Sequence, residues 1–221
     1  MSDTISLPRI GDTAPDFTAL TTQSNAMKFS EWQGDSWVVL FSHPADFTPV
    51  CTTELTEFAR RNDDFQKLNT KLIGLSVDSI HSHLAWIRNM HEKMDVQIPY
   101  PMIADIDTKV AQAYGMIHPG ASATATVRAV FIIDPKRVIR ALIYYPMNAG
   151  RNVDEMLRVV KALQTADQFS CATPVNWQPG QKVVVPAPRS VSDVEERLSH
   201  KDYEMKDFYL ALKDLPAEKS K

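Results

Sequence analysis

Residues 36–51 read SWVVLFSHPADFTPVC, and this stretch decides the fold. It begins with an apolar run of strand length, of the kind that is buried on both faces of a sheet. A helix is predicted to start soon afterwards, because Thr48 is a favoured N-cap residue and Pro49 suits the first helical position. Apolar residues recur at helical spacing as far as Phe65, which places Cys51 in the first turn of this helix.

Strand and helix patterns continue to alternate along the chain. Residues 72–77 repeat the strand pattern, and residues 79–93 follow as an amphipathic helix. The further predicted elements are a short strand at 102–103, a short helix at 108–114, strands at 127–133 and 138–144 joined by a tight turn, and a helix at 152–163. Parallel strands with one antiparallel hairpin predict an α/β, thioredoxin-like fold, with a central mixed sheet flanked by helices.

The sequence changes character after about residue 165. Prolines become frequent there, and only one convincing helix follows, near residues 191–198. We therefore predict a thioredoxin-like domain over residues 5–165 and a C-terminal arm over residues 166–221. An arm of this size cannot bury much surface by itself, so we expect it to pack on its own domain or to stabilise a dimer. Residues 216–221 are expected to be frayed.

Composition and charge narrow the classes of function. The 221 residues carry a net charge of -3 at pH 7, which gives no reason to expect nucleic acid or an anionic membrane surface as a partner. The longest apolar runs have strand length, so no transmembrane helix is predicted. Residues 1–8 lack the basic and apolar regions of a secretory signal, and we expect a cytoplasmic protein.

The two cysteines, Cys51 and Cys171, turn the question to individual thiol chemistry. They are too few for a disulfide framework, and they lack the close pairing of a zinc or CxxC site. A free thiol is mostly protonated at neutral pH and is then a poor nucleophile. The start of a helix favours the thiolate, because the positive end of the macrodipole and unpaired backbone N–H groups lie there.

The residues just before Cys51 support a reactive thiol, although an unreactive cysteine at an ordinary helix start is the alternative interpretation. The Thr48 hydroxyl is expected to accept a hydrogen bond from the N–H of Val50 or Cys51, and to donate one to the thiolate. Pro44 holds the turn before the helix and could shield the sulfur from solvent. On position alone, however, an inert, half-buried cysteine at an ordinary helix start is the more common arrangement.

A resemblance to a known family changes that balance. Residues 41–55, FSHPADFTPVCTTEL, resemble the peroxidatic segment of peroxiredoxins, and within them His43 and the run FTPV at 47–50 resemble the one-Cys, peroxiredoxin 6-like subgroup. The similarity covers nearly the whole chain and is weakest beyond about Arg189. It extends to residues 14–17, Asp78, 83–86, 126–131, 145–146, 150–152 and 172–177.

Carried over by position, the resemblance implies a nucleophile and a peroxide pocket. Cys51 becomes the nucleophile, and Thr48 and Arg128 bind the peroxide. A cation on a strand beside the helix start would favour the thiolate and stabilise charge on the leaving oxygen, whereas without the resemblance Arg128 is more simply an exposed strand arginine. Glu54 would orient Arg128, although the helix dipole explains an acid in the first turn equally well.

Two further residues come with the resemblance in supporting roles. His43 would lie near the nucleophile and tune it, but a structural histidine with satisfied hydrogen bonds is at least as good an interpretation. Arg151 matches a second arginine position near the pocket. In the implied reaction, Cys51 reduces hydrogen peroxide or an organic hydroperoxide and becomes a sulfenic acid, with no metal or other cofactor.

The resemblance leaves the reduction of the sulfenic acid open. Cys171 lies close to where two-Cys peroxiredoxins carry a resolving cysteine, but the register differs by two residues. The C-terminal cysteine pair of some archaeal relatives is missing from the similar stretch at 203–211. An external thiol such as glutathione or thioredoxin is therefore expected as the reductant, with Cys171 as the alternative resolving residue.

Other activities on the same fold were weighed against a peroxidase. The missing CxxC motif argues against a thioredoxin-type oxidoreductase, while a peroxide sensor or chaperone would share the same thiol chemistry. Phospholipase activity, known for some peroxiredoxin 6 proteins, is not expected, because Ser30 stands where those relatives carry the histidine that would serve Ser36. The resemblance also implies a homo-oligomer, either a dimer or a ring of five dimers.

Overall fold

A computed structural model describes residues 7–216 of the chain. The chain divides into two compact units, Met1–Val153 and Asp154–Lys221. The sequence placed the boundary at residue 165 instead. That position falls inside a continuous helix, Val153–Phe169, which extends beyond residue 163, where the predicted helix ends.

The first unit contains a seven-stranded sheet, and the sequence predicted its mixture of parallel and antiparallel strands but not the strand count. In the order of the sheet, its strands run β2-β1-β5-β4-β3-β6-β7. β3, β4 and β5 are parallel to one another, whereas the other pairs are antiparallel. The bounds are β1 Thr18–Thr21, β2 Ser24–Lys28, β3 Trp37–Ser42, β4 Thr70–Ser76, β5 Met102–Ala104, β6 Arg128–Ile133 and β7 Ile139–Tyr145.

Among residues 7–153, five helices flank this sheet: α1 Phe29–Gln33, α2 Pro49–Arg60, α3 Asn62–Lys67, α4 Ile80–Met94 and α5 Lys109–Ala113. The helical spacing that continued to Phe65 in the sequence crosses a break at Arg61, which ends α2 and begins α3. The spacing survives because Phe58 and Phe65 both remain buried, with ring centroids 6.2 Å apart.

Strand β3 lies at the centre of the sheet, between β4 and β6. Every residue of β3 is buried, as its continuous apolar pattern predicted. Phe41, near its C-terminal end, stacks on Phe58 of α2 with ring centroids 4.2 Å apart. This contact fixes the helix that carries Cys51 directly over the end of the strand that precedes it.

A hairpin near the N-terminal end of the first unit was missed from sequence. Strands β1 and β2 pair antiparallel across a turn at Thr22 and Gln23. The Thr21 hydroxyl oxygen accepts from the N–H groups of Gln23 and Ser24, at 3.2 and 3.0 Å. Both strands are short and largely exposed, so they lack the apolar alternation by which a strand is recognised.

The described part of the second unit contains all but the first residue of α6 (Val153–Phe169), a three-stranded sheet and α7 (Val191–Ser199). α7 was predicted, and a capping box between Ser190 and Asp193 starts it. The sheet was not predicted, and its strands, in the order β8-β10-β9, are β8 Val183–Val184, β9 Glu204–Asp207 and β10 Leu210–Lys213. The fraying expected at 216–221 concerns a segment that lies, except for Pro216, outside the described residues.

Across residues 7–216, no helix combines the length and the apolar character that crossing a membrane requires.

Candidate active site

Cys51 is the third residue of α2, as the sequence predicted. Thr48 is the N-cap residue with an extended backbone, and Pro49 occupies the first helical position. The first hydrogen bond of the helix runs from the Thr52 N–H to the Thr48 carbonyl oxygen, at 2.9 Å. Cys51 is only 1% exposed, so its sulfur faces a nearly dry environment at the positive end of the helix.

Arg128 is the first residue of β6 and reaches the sulfur directly. Because β6 pairs with β3, its first residue lies beside the loop that leads from β3 into α2. The Arg128 Nη1 atom lies 3.3 Å from Cys51 Sγ and 2.7 Å from Glu54 Oε2. Its Nε and Nη2 atoms donate to the carbonyl oxygen of Met147, at 3.0 and 2.7 Å. Arg128 is buried, so the interpretation as an exposed strand arginine is wrong.

Glu54 joins Arg128 to the second arginine, Arg151. The Glu54 Oε1 atom accepts from the backbone N–H of Arg151 at 2.8 Å and from its Nε at 3.0 Å, and Oε2 accepts from Nη2 at 2.7 Å. Burial raises the pKa of Glu54, but the charge and hydrogen bonds of Arg151, together with the charge of Arg128, outweigh it and hold the pKa below its ordinary value. Glu54 lies beyond the first turn of α2, so these arginines, rather than the helix dipole, account for it.

Arg151 is held by further contacts besides those with Glu54. Its Nη1 atom donates to the carbonyl oxygens of Ser42 and Ala129, at 2.8 and 3.1 Å. Its guanidinium also lies over the rings of Phe41 and Phe58, with its carbon 5.3 and 5.6 Å from their centroids. A buried arginine held by this many contacts fixes Glu54, and Glu54 in turn fixes Arg128.

The charges of this network favour an anionic sulfur. Two guanidinium groups, on Arg128 and Arg151, surround one carboxylate, on Glu54. One positive charge is therefore left over in a region from which water is almost excluded, and an unbalanced buried charge is strongly unfavourable. The Cys51 sulfur is in contact with Arg128, so it lies where a negative charge would balance the network.

The Thr48 hydroxyl does not make the hydrogen bond that the sequence predicted. Its Oγ1 atom donates to the carbonyl oxygen of Ala45 at 2.9 Å, and among the described residues no backbone N–H of α2 caps on it. The preceding residue, Phe47, has a φ of 55°, and this left-handed turn precedes the hydroxyl that bonds back to the loop. The hydroxyl hydrogen is thus used within the loop, while its lone pairs can still accept a hydrogen bond.

His43 and Pro44 begin the loop between β3 and α2. Pro44 is half-buried there. The His43 ring is fully buried, and its Nε2 atom lies 2.8 Å from Asp46 Oδ1. The other oxygen, Asp46 Oδ2, lies 2.7 Å from Nδ1 of His83, which belongs to α4.

Sequence reasoning missed Asp46 and the part that His83 plays with it. The spacing of three residues between His43 and Asp46 was the available signal, but the link to His83 spans 37 positions and depends on the sheet. Within residues 7–216, these three side chains are also the one group of histidine, cysteine or acidic residues close enough to hold a metal ion, with ligand atoms within 4.8 Å of one another.

Cys171 lies in the second unit, and its surroundings are apolar. It is a free, half-buried thiol that packs against a cluster of Ala162, Trp177 and Val183. Its Sγ atom lies 3.7 Å from the carbonyl oxygen of Thr165. Burial raises the pKa of the Cys171 thiol above its ordinary value.

The two serines considered for phospholipase chemistry make other hydrogen bonds. The Ser36 hydroxyl donates to the side-chain oxygen of Asn69 at 3.1 Å, and the Ser30 hydroxyl donates to Asp16 Oδ2 at 2.8 Å. Neither hydroxyl donates to a histidine, the general base that activates a serine in such triads.

Comparison with known proteins adds an independent line of observation. Residues 10–142 match the AhpC/TSA family, and residues 162–201 match the C-terminal domain of 1-Cys peroxiredoxin. A peroxiredoxin of Aquifex aeolicus is 50% identical over 96% of this chain and 99% of its own. A peroxiredoxin of Archaeoglobus fulgidus is 52% identical over 86% of this chain and 90% of its own.

Solved structures give the same picture. A yeast mitochondrial 1-Cys peroxiredoxin, whose thiol is resolved via glutathione/thioredoxin systems, superposes with a TM-score of 0.85 at 41% identity, over 95% of this chain and 100% of its own. A cysteine-to-serine mutant of peroxiredoxin 6 from Arenicola marina gives a TM-score of 0.85 at 39% identity, over 95% and 99%.

Proposed function

The chain belongs to the AhpC/TSA family of peroxiredoxins, which are thiol-dependent peroxidases, and on that premise we propose that Cys51 is the residue that reduces the peroxide. The observation that carries this assignment is the contact between Arg128 Nη1 and Cys51 Sγ, at the start of a helix and in a buried site. The other cysteine has no comparable charged neighbour within hydrogen-bond distance among the described contacts.

The proposed reaction is a nucleophilic substitution at oxygen. The Cys51 thiolate attacks one oxygen of hydrogen peroxide or of an organic hydroperoxide, so that an S–O bond forms as the O–O bond breaks. The sulfur is oxidised to a sulfenic acid, and the second oxygen leaves and takes up a proton to become water or an alcohol. The balance requires only the thiol and the peroxide.

Each neighbour of Cys51 has a defined part in this proposal. Arg128 stabilises the thiolate and the negative charge that develops on the leaving oxygen. Glu54 is a positioning residue because it holds the guanidinium of Arg128 rather than the sulfur, and Arg151 is one because it holds Glu54. Thr48 binds the peroxide with the lone pairs of its hydroxyl, as acceptor from a peroxide O–H, while Pro44 keeps solvent from the sulfur.

We propose that an external thiol returns Cys51 to its reduced form. A first thiol condenses with the sulfenic acid to a mixed disulfide and releases water, and a second thiol then displaces Cys51 as the free thiol. The pKa of Cys171 is raised, so a smaller fraction of this thiol is the thiolate that would attack the sulfenic acid. This favours an external thiol over Cys171 as the reductant. The yeast relative, which uses glutathione/thioredoxin systems, supports the same class of reductant.

The assignment is tested by peroxide consumption at low protein concentration with dithiothreitol, for the unchanged protein, Cys51→Ser and Cys171→Ser. We expect Cys51→Ser to lose all turnover and Cys171→Ser to keep it. Turnover that persists in Cys51→Ser would refute the assignment. Loss in Cys171→Ser, together with a Cys51–Cys171 disulfide on a non-reducing gel, would make Cys171 the resolving residue instead.

We also propose a homo-oligomer, with a dimer favoured over a ring of five dimers, and a cytoplasmic location. Both proposals come from the sequence resemblance. Sedimentation velocity of the reduced protein tests the first, because a dimer and a decamer differ fivefold in mass. Fractionation of source cells tests the second.

A further inference from the structure

The cluster of His43, Asp46 and His83 is built around one carboxylate and is sealed from solvent. The side chains of the two histidines are 0% exposed and that of Asp46 is 2% exposed. A charged group in such a place must be paired and hydrogen-bonded. Burial raises the pKa of Asp46, but hydrogen bonds and charges from the two histidines outweigh this and lower it strongly, so Asp46 is an acceptor only.

The hydrogen-bond partners of His83 define how many protons its ring carries. Its Nδ1 atom faces Asp46 Oδ2 at 2.7 Å, and its Nε2 atom faces the carbonyl oxygen of Ile103 at 3.1 Å. Both partners are acceptors without hydrogen. Only the imidazolium form, with a proton on each nitrogen, satisfies both contacts.

The partners of His43 define the opposite state. Its Nε2 atom must donate to Asp46 Oδ1, whereas its Nδ1 atom is buried and has no hydrogen-bond partner within the described residues. Burial, then the charge on His83 and that on Arg151, lower the pKa of His43, against the opposing effect of Asp46. His43 is therefore neutral, with its proton on Nε2 and a bare lone pair on Nδ1.

Asp46 also ties this pair of rings to the loop that begins α2. The backbone N–H of Asp46 donates to Asp78 Oδ2 at 3.0 Å, and the Ser76 hydroxyl donates to the same oxygen at 2.6 Å. The loop is short, and the Thr48 hydroxyl at the helix start donates back to the Ala45 carbonyl oxygen. Displacement of the Asp46 side chain would thus shift the residues that lead directly to Thr48 and Cys51.

From this geometry we propose that His83, on α4, is a positioning residue for peroxide reduction. It carries the proton that balances Asp46, and thereby keeps His43 neutral and the loop from His43 to Thr48 in its active geometry. The proposal rests on Cys51 as the nucleophile. His83 acts through Asp46, and no contact between its ring and the sulfur is involved.

A metal ion could in principle replace this proton, because the ligand atoms lie within 4.8 Å of one another. A histidine that binds a metal through one nitrogen nearly always passes the N–H of the other to an acceptor. His83 has such an acceptor in Ile103, but His43 Nδ1 has none within residues 7–216. The arrangement therefore favours the proton.

The main test compares His83→Asn with the unchanged protein. The asparagine amide can still donate to Asp46, but it brings no charge, so the variant separates the proton from the hydrogen bond. We expect the rate of Cys51 oxidation by hydrogen peroxide to fall about 10- to 100-fold, as a misplaced catalytic group does. We also expect a new ionisation in the pH profile, because without the charge of His83 the pKa of His43 rises beside Asp46.

The matched control is His91→Asn, which removes an exposed histidine from the same helix. We expect it to leave both the rate and the pH profile unchanged. A His83→Asn variant with the rate and pH profile of the unchanged protein would overturn the proposal. Full activity in His83→Asn with a loss only in His83→Leu would also overturn it, because the hydrogen bond alone would then suffice.

A second measurement does not depend on catalysis. With ¹⁵N-labelled histidine, NMR at neutral pH should show His83 as imidazolium and His43 as the neutral ring protonated at Nε2, whereas in His83→Asn the His43 ring should become imidazolium. A neutral His83 in the unchanged protein, or one equivalent of tightly bound metal that His83→Asn loses, would refute the assigned proton. If Cys51→Ser kept its turnover, the proposed function would fail while these ring states remained measurable.

Discussion

Cys51 and Cys171 are residues of the same type in two different electrostatic environments. Cys51 is almost completely buried, yet its sulfur lies 3.3 Å from a guanidinium that belongs to a network of two arginines and one glutamate. Cys171 is less buried, but it packs on an apolar cluster that includes Trp177. Burial alone would make Cys51 the more inert of the two. In the proposed mechanism the charged neighbours decide the chemistry, because a guanidinium beside the sulfur favours the thiolate where burial alone would oppose it.

The largest effect on the difference between the two cysteines is expected from removing the positive charge of Arg128. Arg128→Met should lower the rate of Cys51 oxidation by hydrogen peroxide about 10²- to 10³-fold, the usual effect of losing a donor to developing negative charge. Stopped-flow kinetics of the reduced protein measures this rate. Arg88→Met is the control, because Arg88 forms an exposed pair with Glu92 on α4. A rate within threefold of normal in Arg128→Met would mean that the helix start alone activates the sulfur.

The next largest effect is expected from the carboxylate that holds both arginines. Glu54→Gln leaves two buried guanidinium groups without their counter-ion, so the free energy of unfolding should fall by about 3–5 kcal/mol. Glu57→Gln, on the same helix, removes an exposed pair with Arg60 and should change it by less than about 1 kcal/mol. Urea unfolding at pH 7 measures both. Equal effects of the two variants would contradict the buried network.

The difference in stability between the unchanged protein and Glu54→Gln should also depend on pH. The pKa of Glu54 is lowered in the folded protein, so its stabilising effect is present above its unfolded pKa and is lost as the pH falls through the folded pKa. The difference in stability between the unchanged protein and Glu54→Gln should therefore shrink on acidification. A difference that stays constant between neutral and acid pH would show that packing, rather than charge, accounts for Glu54.

The sequence predicted this difference only in part. The helix start at Cys51 was confirmed because its signals are local: an N-cap threonine, a proline and an apolar strand before them. Arg128 and Glu54 lie 74 positions apart, so their contact depends on how β6 pairs with β3. The resemblance supplied their roles. Neither the local sequence signals nor the resemblance identified Asp46, because its contact with His83 forms only once α4 packs beside β5.

Other errors in the prediction come from loop conformation and from the pairing of short strands. Thr48 was expected to cap α2, but its hydroxyl bonds to Ala45 across a turn whose left-handed residue is Phe47, a residue type that rarely adopts that conformation. The short strands of the second unit lacked apolar alternation, and they exist because β10 pairs with both β8 and β9. Local signals identify helix starts, whereas pairing between distant segments must be observed.

A smaller change in the site of Cys51 comes from Thr48. Thr48→Val removes the hydroxyl bond to Ala45 and the lone pairs proposed for the peroxide, and we expect about a tenfold slower oxidation of Cys51, equivalent to about 1.4 kcal/mol. Thr48→Ser keeps the hydroxyl and should retain most of the rate. Stopped-flow kinetics again gives the comparison. A normal rate in Thr48→Val together with a slow rate in Thr48→Ser would mean that the methyl group rather than the hydroxyl is the important part of Thr48.

The smallest effect is expected at the other thiol. The pKa of Cys171 is raised by burial, so its alkylation in a Cys51→Ser background should be slower than that of free cysteine at neutral pH and should accelerate only at more alkaline pH. Iodoacetamide labelling followed by mass spectrometry measures this profile. The matched substitution Lys213→Met removes a charge that counteracts the effect of burial, and it should shift the profile further towards alkaline pH. Faster labelling than free cysteine would instead make Cys171 an activated thiol like Cys51, and the comparison between the two would fail because both would then depend on nearby positive charge.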